Sequence, residues 1–444
     1  MIARNKRKEG LLGFVLIMLL VLGARAAQDL LAAPVRIDHA AVEGNKITAA
    51  DVILREIPFT FPAVLSAADL TLVQNKVQNL GLFNRVELRV DERDGQAVLT
   101  VIVTESWYLF PSPLFSISDR DWSKLSYGLQ VTDANFRGRN ERLRVGGSFG
   151  YNPSYFLNYS IPWIGERQRL SLNIGISRRA NENRIFDFQE DRLGFNLGLG
   201  KRLSLELETG VQFSLTRIRL PGQYGIYAVS GQAQDIVPSL SWQVRWDHRD
   251  LAEYPRKGAY LAIELQRTGF GKNQPDFWRL TSDSRFYQPF LGALSLGVRQ
   301  LFILNSGILP MYDRVYLGYG ERLRGYFDQI LPNPALFADY KSYSISLTSL
   351  EIRIPLLPVR YFSIKNGPII PSLYRNLKFG LSAGLFVDSG IVWRTASEIR
   401  WNNFLTGYGV GLHIILPYIN VLRIEYALNK LGHGQFIIDA GISF

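Results

Sequence analysis

The chain contains no cysteine. That excludes disulfides, thiolate metal sites, a cysteine nucleophile and lipid attachment through cysteine. Histidine is nearly as scarce. His39, His248, His413 and His433 are scattered, and none has a metal-ligand neighbour at short spacing. No G-x-S-x-G elbow, Walker loop or dinucleotide fingerprint occurs, so no catalytic activity, cofactor or metal is expected. The formal net charge of +11 has no basic block behind it, which argues against nucleic acid as a partner. After the first 26 residues no apolar stretch approaches the ~20 residues of a membrane-spanning helix. Against these absences stands an unusual pairing: 12% aromatic residues and 39 glycines in a chain of 444 whose mean hydropathy is +0.01.

The N-terminus has the layout of a secretory signal. Arg4, Lys6, Arg7 and Lys8 are basic, Leu11 to Leu22 is apolar, and Ala24-Arg25-Ala26 is a small-x-small cleavage pattern. Residues 1–26 are expected to be removed on export.

Residues 34–106 read as a small α+β module of order β-α-α-β-β. Val35 to Val42 alternates and ends at the turn Gly44-Asn45. Thr48 is placed to cap a first helix and Ser66 a second, with Leu70, Val73, Val77 and Leu80 at helical spacing and Gly81 after it. Phe83 to Val90 and Ala97 to Thr104 alternate around Asp94-Gly95. A three-stranded sheet of this kind leaves an open edge that can accept another chain; equally, the module can serve as a spacer.

Residues 107–112 read as a linker, and 113–444 as a 16-stranded antiparallel transmembrane β-barrel. Sixteen alternating segments recur between turns, an even number suited to closure. Leu240, Trp242, Val244 and Trp246 share one face; Ser241, Gln243, Arg245 and Asp247 share the other. Alternation alone does not say which face is interior. The signal favours a membrane, as do aromatics near segment ends (Trp163, Tyr254, Tyr287, Tyr418) that suggest interfacial girdles. Two long connections, 217–235 and 303–343, are expected to face outward, the second folding into the lumen. The turn 356–376 is long for its expected inward side.

Several motifs together resemble known families. Val42-Glu43-Gly44-Asn45, Leu80-Gly81-Leu82-Phe83-Asn84-Arg85-Val86 and Val103-Thr104-Glu105 resemble a polypeptide-transport-associated (POTRA) domain. Arg324-Gly325-Tyr326 in the longest loop, the Glu351-x-Arg353-x-Pro355 strand and Phe386-Val387-Asp388-Ser389-Gly390 resemble the BamA/TamA superfamily of outer-membrane assembly and secretion barrels. So does the turn Asp247-His248-Arg249-Asp250 with Pro255 and Gly258. The chain's end, with Phe436, Ile438, Ala440, Ile442 and Phe444 at period two, resembles the C-terminal β-signal of outer-membrane proteins.

The resemblance implies that the loop arginine meets the Phe386–Gly390 strand inside the barrel. Period two puts Gly384, Phe386, Asp388 and Gly390 on one face, so Arg324 is expected to pair with Asp388 and stack on Phe386, with Glu351 as a second carboxylate and Arg353 beside it. The acidic-basic turn is expected to be a rigid structural element rather than a substrate contact. The implied role is assembly of other outer-membrane proteins, with the module in the periplasm capturing the client and a seam between first and last strands admitting it. The implied partners are unfolded outer-membrane proteins, or a secreted polypeptide, at the module's edge strand, together with outer-membrane lipids and accessory lipoproteins. A polypeptide transporter is the rival, and a barrel acting as adhesin or phage receptor a third reading. The pattern departs at the front, where one module stands in place of several.

Overall fold

The computed structural model describes residues 34–117, 122–183, 188–318, 323–327, 330–331, 343–364, 371–441 and 444. The secretory signal lies outside the described residues, as do Ile442 and parts of the connections 303–343 and 356–376.

The small module contains β1 (Val35–Ile37), β2 (His39–Glu43), α1 (Ala50–Leu54), β3 (Ala63–Leu65), α2 (Ala67–Gln78), β4 (Phe83–Arg93) and β5 (Gln96–Glu105). Its sheet has the order β2-β5-β4, with β2 parallel and β4 antiparallel to β5, while β1 pairs with β3. Ile37, Val52, Ile53, Val73, Val77 and Val101 fill the core. α2 starts where a hydroxyl and a carboxylate can cap each other: Ser66 Oγ accepts from the Asp69 amide at 3.2 Å, and Asp69 Oδ2 accepts from the Ser66 amide at 2.8 Å. Such a cap is worth about 1 kcal/mol. Gly81 then takes φ +70°, the left-handed turn that ends the helix. Thr48 does not cap α1, whose cap position is Ala49. Its hydroxyl instead joins Tyr108 at 3.0 Å and accepts from Asn135 Nδ2 at 2.9 Å, a buried tie to the large domain.

Sixteen strands form one antiparallel sheet in consecutive order. They are β6 (Leu109–Ile117), β7 (Leu125–Phe136), β8 (Glu141–Gly150), β9 (Ser154–Ile164), β10 (Leu170–Asn183), β11 (Phe188–Arg202), β12 (Leu207–Arg219), β13 (Gln234–Asp247), β14 (Gly258–Thr268), β15 (Asp276–Phe290) and β16 (Leu294–Ile308), followed by β19 (Ser344–Phe362), β20 (Leu377–Trp393), β21 (Leu405–Leu416), β22 (Asn420–Asn429) and β23 (Gly434–Ala440). The two-residue strands β17 (Leu317–Gly318) and β18 (Ile330–Leu331) pair with each other in the long loop. β6 begins inside the stretch read as linker. Pro111 and Pro113 disguise it, yet they are tolerated because β6 is the sheet's terminal strand. At the rim the ring of Phe110 on β6 lies 5.4 Å from that of Tyr418 in the turn between β21 and β22.

Burial settles which face is inside. Leu350 is 43% exposed while its neighbours Glu351 and Arg353 are 1% and 2% exposed. A soluble sandwich would show the reverse. The apolar face lies outside, and lipid is the solvent that suits it. Two of the four aromatics read as girdle residues are placed elsewhere, and a third, Trp163, is half-buried at the rim. Tyr254 and Tyr287 are buried beside Arg353, and Trp163 lies under the guanidinium of Arg55. Position near a strand end does not reveal which face a ring takes.

The module is seated on one end of the barrel. Glu56 accepts from Arg202 at 2.7 and 2.8 Å, Lys76 pairs with Glu206, and Asn79 bonds Asp250 and Ala252. Asn84 donates to the Arg375 carbonyl, and Asn376 to Thr104. These last contacts explain the long 356–376 connection. β19 and β20 stay paired as far as Phe362 and Leu377, so their hairpin reaches past the rim to meet the module.

Candidate functional site

Inside the barrel, the long loop delivers one arginine to the inner faces of β19, β20 and β22. Arg324 Nε and Nη2 each donate to Asp388 at 2.7 Å, one to each carboxylate oxygen. Its Nη1 donates at 3.0 Å to Glu351 and at 3.0 Å to Glu425. The guanidinium carbon stands 3.6 Å from the centre of the Phe386 ring. Planarity is what allows this: one face stacks while the edge forks to carboxylates.

The backbone near the arginine is shaped by glycines. Gly325 adopts φ +91°, and its carbonyl accepts from Asn429 Nδ2 at 3.3 Å. A Cβ on Gly407 would lie 1.9 Å from the Arg324 carbonyl oxygen, and one on Gly390 would lie 2.7 Å from Leu317 Cδ2. Gly390 therefore makes room for the loop rather than touching the arginine. Tyr326 turns toward the last strands: its hydroxyl donates to the Thr406 carbonyl at 3.3 Å and accepts from the Lys430 amide at 3.2 Å.

Two further arginines extend the cluster. Arg353 donates to Glu351 at 2.8 Å, to the Pro255 carbonyl at 2.8 Å and to the Phe444 carbonyl at 3.2 Å. Arg423 donates to Glu425 at 2.9 Å, to Asp439 at 3.0 Å and to the Gly441 carbonyl at 2.8 Å. The loop is thus tied through Glu425 and Arg423 to β23, the terminal strand. Glu425 and Arg423 belong to the alternating run Leu422–Tyr426, whose inner face carries both charges, so the pattern held the signal. Their partners are distant in sequence, and spacing could not supply them.

The other motif residues lie apart from this centre. Asp247 accepts a two-nitrogen grip from Arg249 at 2.8 and 2.7 Å, and Asp250 Oδ1 accepts from the Arg256 amide at 3.0 Å. Gly258, at φ +110°, lies against the His248 carbonyl where a Cβ would stand 2.1 Å away. Pro255 joins this turn to Arg353. At the chain's end, Phe436, Ile438 and Ala440 are exposed on the outer face, whereas Phe444 is buried in the lumen with its ring stacked on Tyr287. The period-two reading breaks at Gly441, which takes φ +97° and leaves the strand.

Comparison with known proteins places these features. Residues 135–444 match the Omp85 superfamily domain, and residues 35–106 match a POTRA domain, the surface antigen variable number repeat. Among solved structures, BamA from Haemophilus ducreyi lacking POTRA domains 1–3 superposes with TM-score 0.51 at 18% identity, covering 92% of this chain and 83% of that one. CdiB from Escherichia coli superposes with TM-score 0.54 at 14% identity, covering 92% and 73%. At such identities the likeness concerns the fold. The match over residues 135–444, together with a sixteen-stranded sheet that carries its apolar face outward, identifies the chain as a member of the Omp85 superfamily of outer-membrane β-barrels, with one POTRA domain.

Proposed function

We propose that the protein is an outer-membrane assembly factor that folds and inserts other β-barrel proteins, with its POTRA domain in the periplasm. The observation that carries this reading is the pair of free sheet ends. Among the described residues no ladder joins β6 to β23, so each terminal strand offers backbone groups to an incoming strand. β23 has only seven residues, and its Phe436 and Ile438 are each 64% exposed on the outer face. The POTRA edge at β4, which the β19–β20 hairpin meets at Asn84 and Arg85, offers a first docking strand for an unfolded outer-membrane protein. Outer-membrane lipids would cover the apolar face, and accessory lipoproteins would bind on the periplasmic side. No catalytic step is required.

The absence of native cysteine makes the test clean. Cysteine pairs along β6 and β23, oxidised to lock the seam, should stop insertion of client barrels, and reduction should restore it. Undiminished client insertion with a locked seam would overturn the reading. A second reading, passage of a secreted polypeptide through the lumen, is favoured by the buried loop, which lies where a plug would. Depletion followed by outer-membrane proteomics separates the two: general loss of barrels indicates assembly, whereas failure to secrete one polypeptide indicates transport.

A further inference from the structure

His413, on β21, is 1% exposed and lies beside the arginine cluster. Its Nδ1 is fixed 2.9 Å from the Tyr254 hydroxyl. Its Nε2 is buried, has no hydrogen-bond partner among the described residues and faces Glu425, 3.6 Å from Oε1. One donor atom each from Glu351, His413 and Glu425 lie within 4.8 Å of one another, all three residues buried. Gly384 and Gly411 clear space for the imidazole, since a Cβ on either would come within 2.8 or 3.2 Å of its ring.

Arg324 Nη1 stands 3.0 Å from a carboxylate oxygen of both Glu351 and Glu425, so a cationic nitrogen holds the bridging position. Arg324, Arg353 and Arg423 already pair with Glu351, Asp388 and Glu425, and Arg423 also with the partly exposed Asp439. A divalent ion added to that set would bring uncompensated charge. Withdrawal of the loop reverses the situation, removing one positive charge and leaving a buried imidazole nitrogen beside two carboxylates. One nitrogen and two oxygens with an open fourth position suit Zn2+, whereas Mg2+ and Ca2+ prefer more oxygen ligands. The Tyr254 contact at Nδ1 resembles the outer partner that usually orients a zinc-bound histidine.

We propose that Glu351, His413 and Glu425 form a Zn2+ site that the loop arginine covers, so that metal and loop compete for one position in the lumen. Binding only the loop-out state, the metal shifts the loop equilibrium by its differential affinity. The inference is independent of which polypeptide the barrel handles.

The test uses the full chain, tag-free, in detergent micelles, titrated with Zn2+ against a chromophoric chelator. Wild type should bind weakly, and Arg324→Ala should bind one Zn2+ per chain at least about tenfold more tightly. Adding His413→Ala should remove that gain, and adding Tyr254→Phe should weaken it about tenfold, the usual effect of losing an outer partner. Heat-modifiable mobility reports folding. If Arg324→Ala does not fold, Asp388→Asn replaces it, since this removes the arginine's two-oxygen partner and none of the three ligands. In wild type, amide exchange over residues 323–327 should quicken with Zn2+ and not with Mg2+, and His413→Ala should abolish the response. Equal Zn2+ affinity with and without the arginine, persistence of the site without His413, or zinc-insensitive loop exchange would each overturn the proposal.

Discussion

Arg324 and Arg202 each grip a carboxylate through two nitrogens, at 2.7 and 2.7 Å in one case and 2.7 and 2.8 Å in the other. Their surroundings differ. The Arg324 side chain is 4% exposed and its nitrogens reach three carboxylates; that of Arg202 is 25% exposed, at the rim where the POTRA domain sits. Deep in the lumen each charge depends on the others, because the side chains are buried and a lost partner leaves a charge unpaired. At the rim the contacts are spread over separate turns, and although Glu56 is buried the side chain of Arg202 stays in touch with water. The same bond therefore serves as a lock in one place and as one of several tethers in the other.

The comparison is broken most severely by Arg324→Ala. It leaves Asp388, Glu351 and Glu425 short of a counter-charge, and loss of one partner from a buried pair costs about 3–5 kcal/mol. Denaturant or thermal unfolding of the purified barrel should show that loss, and a cost near that of a surface pair would mean that the lumen cluster is not coupled. Gly407→Ala displaces the loop without removing any charge. Its Cβ would press on the Arg324 carbonyl oxygen at 1.9 Å, and overpacking of this kind costs about 1–3 kcal/mol. Faster amide exchange at 323–327, with the strand ladder unchanged, is the expected readout. Arg202→Ala should cost less, about 1–2 kcal/mol, because Arg55 Nε remains 4.0 Å from Glu56. Its effect should appear as faster exchange in α1 and in the β11–β12 turn while the lumen loop stays protected. Loosening of both regions by this one substitution would show that rim and lumen are not separate units.

The sequence made the strand count and the alternation legible because period two is local, and a strand shows it whatever it packs against. The Arg324–Asp388 encounter was approachable for a similar reason: the strand's period places Asp388 and Phe386 on one face, and the loop motif supplies the cation. Facing was harder. Tyr254, Tyr287 and Phe444 carry the composition of a lipid-facing girdle, yet all three pack around Arg353, a choice set by neighbours more than thirty residues away. Thr48 shows the same limit on a smaller scale. Its type and position suit a helix cap, but Tyr108 and Asn135 offered its hydroxyl a buried alternative. The β19–β20 hairpin lacked an explanation in sequence because its purpose, contact with Thr104 and Asn84, exists only once the two domains meet.

The mildest test concerns pH and one tether at the rim. Glu206, in the turn between β11 and β12, lies 3.0 Å from Lys76 of the POTRA domain and 2.8 Å from His248. Burial raises the proton affinity of its carboxylate, but hydrogen bonds from His248 and Lys76, with the Lys76 charge, outweigh it and hold the group below its ordinary value of 4.5. A carboxylate with a depressed value in the folded state stabilises that state above its ordinary value, and the contribution fades as pH falls through the lower one. Seating of the POTRA domain should therefore weaken as pH falls below 4.5. The effect should stay within about 1 kcal/mol, since the pair is partly solvated and screened by salt. Hydrogen exchange of α2 and the β11–β12 turn, followed across that range, would record it. Glu206→Gln should flatten the profile at its low-pH level, with exchange at the Arg324 loop recorded alongside for comparison. A loop that loosened together with α2 would place both regions in one cooperative unit and remove the distinction between lock and tether.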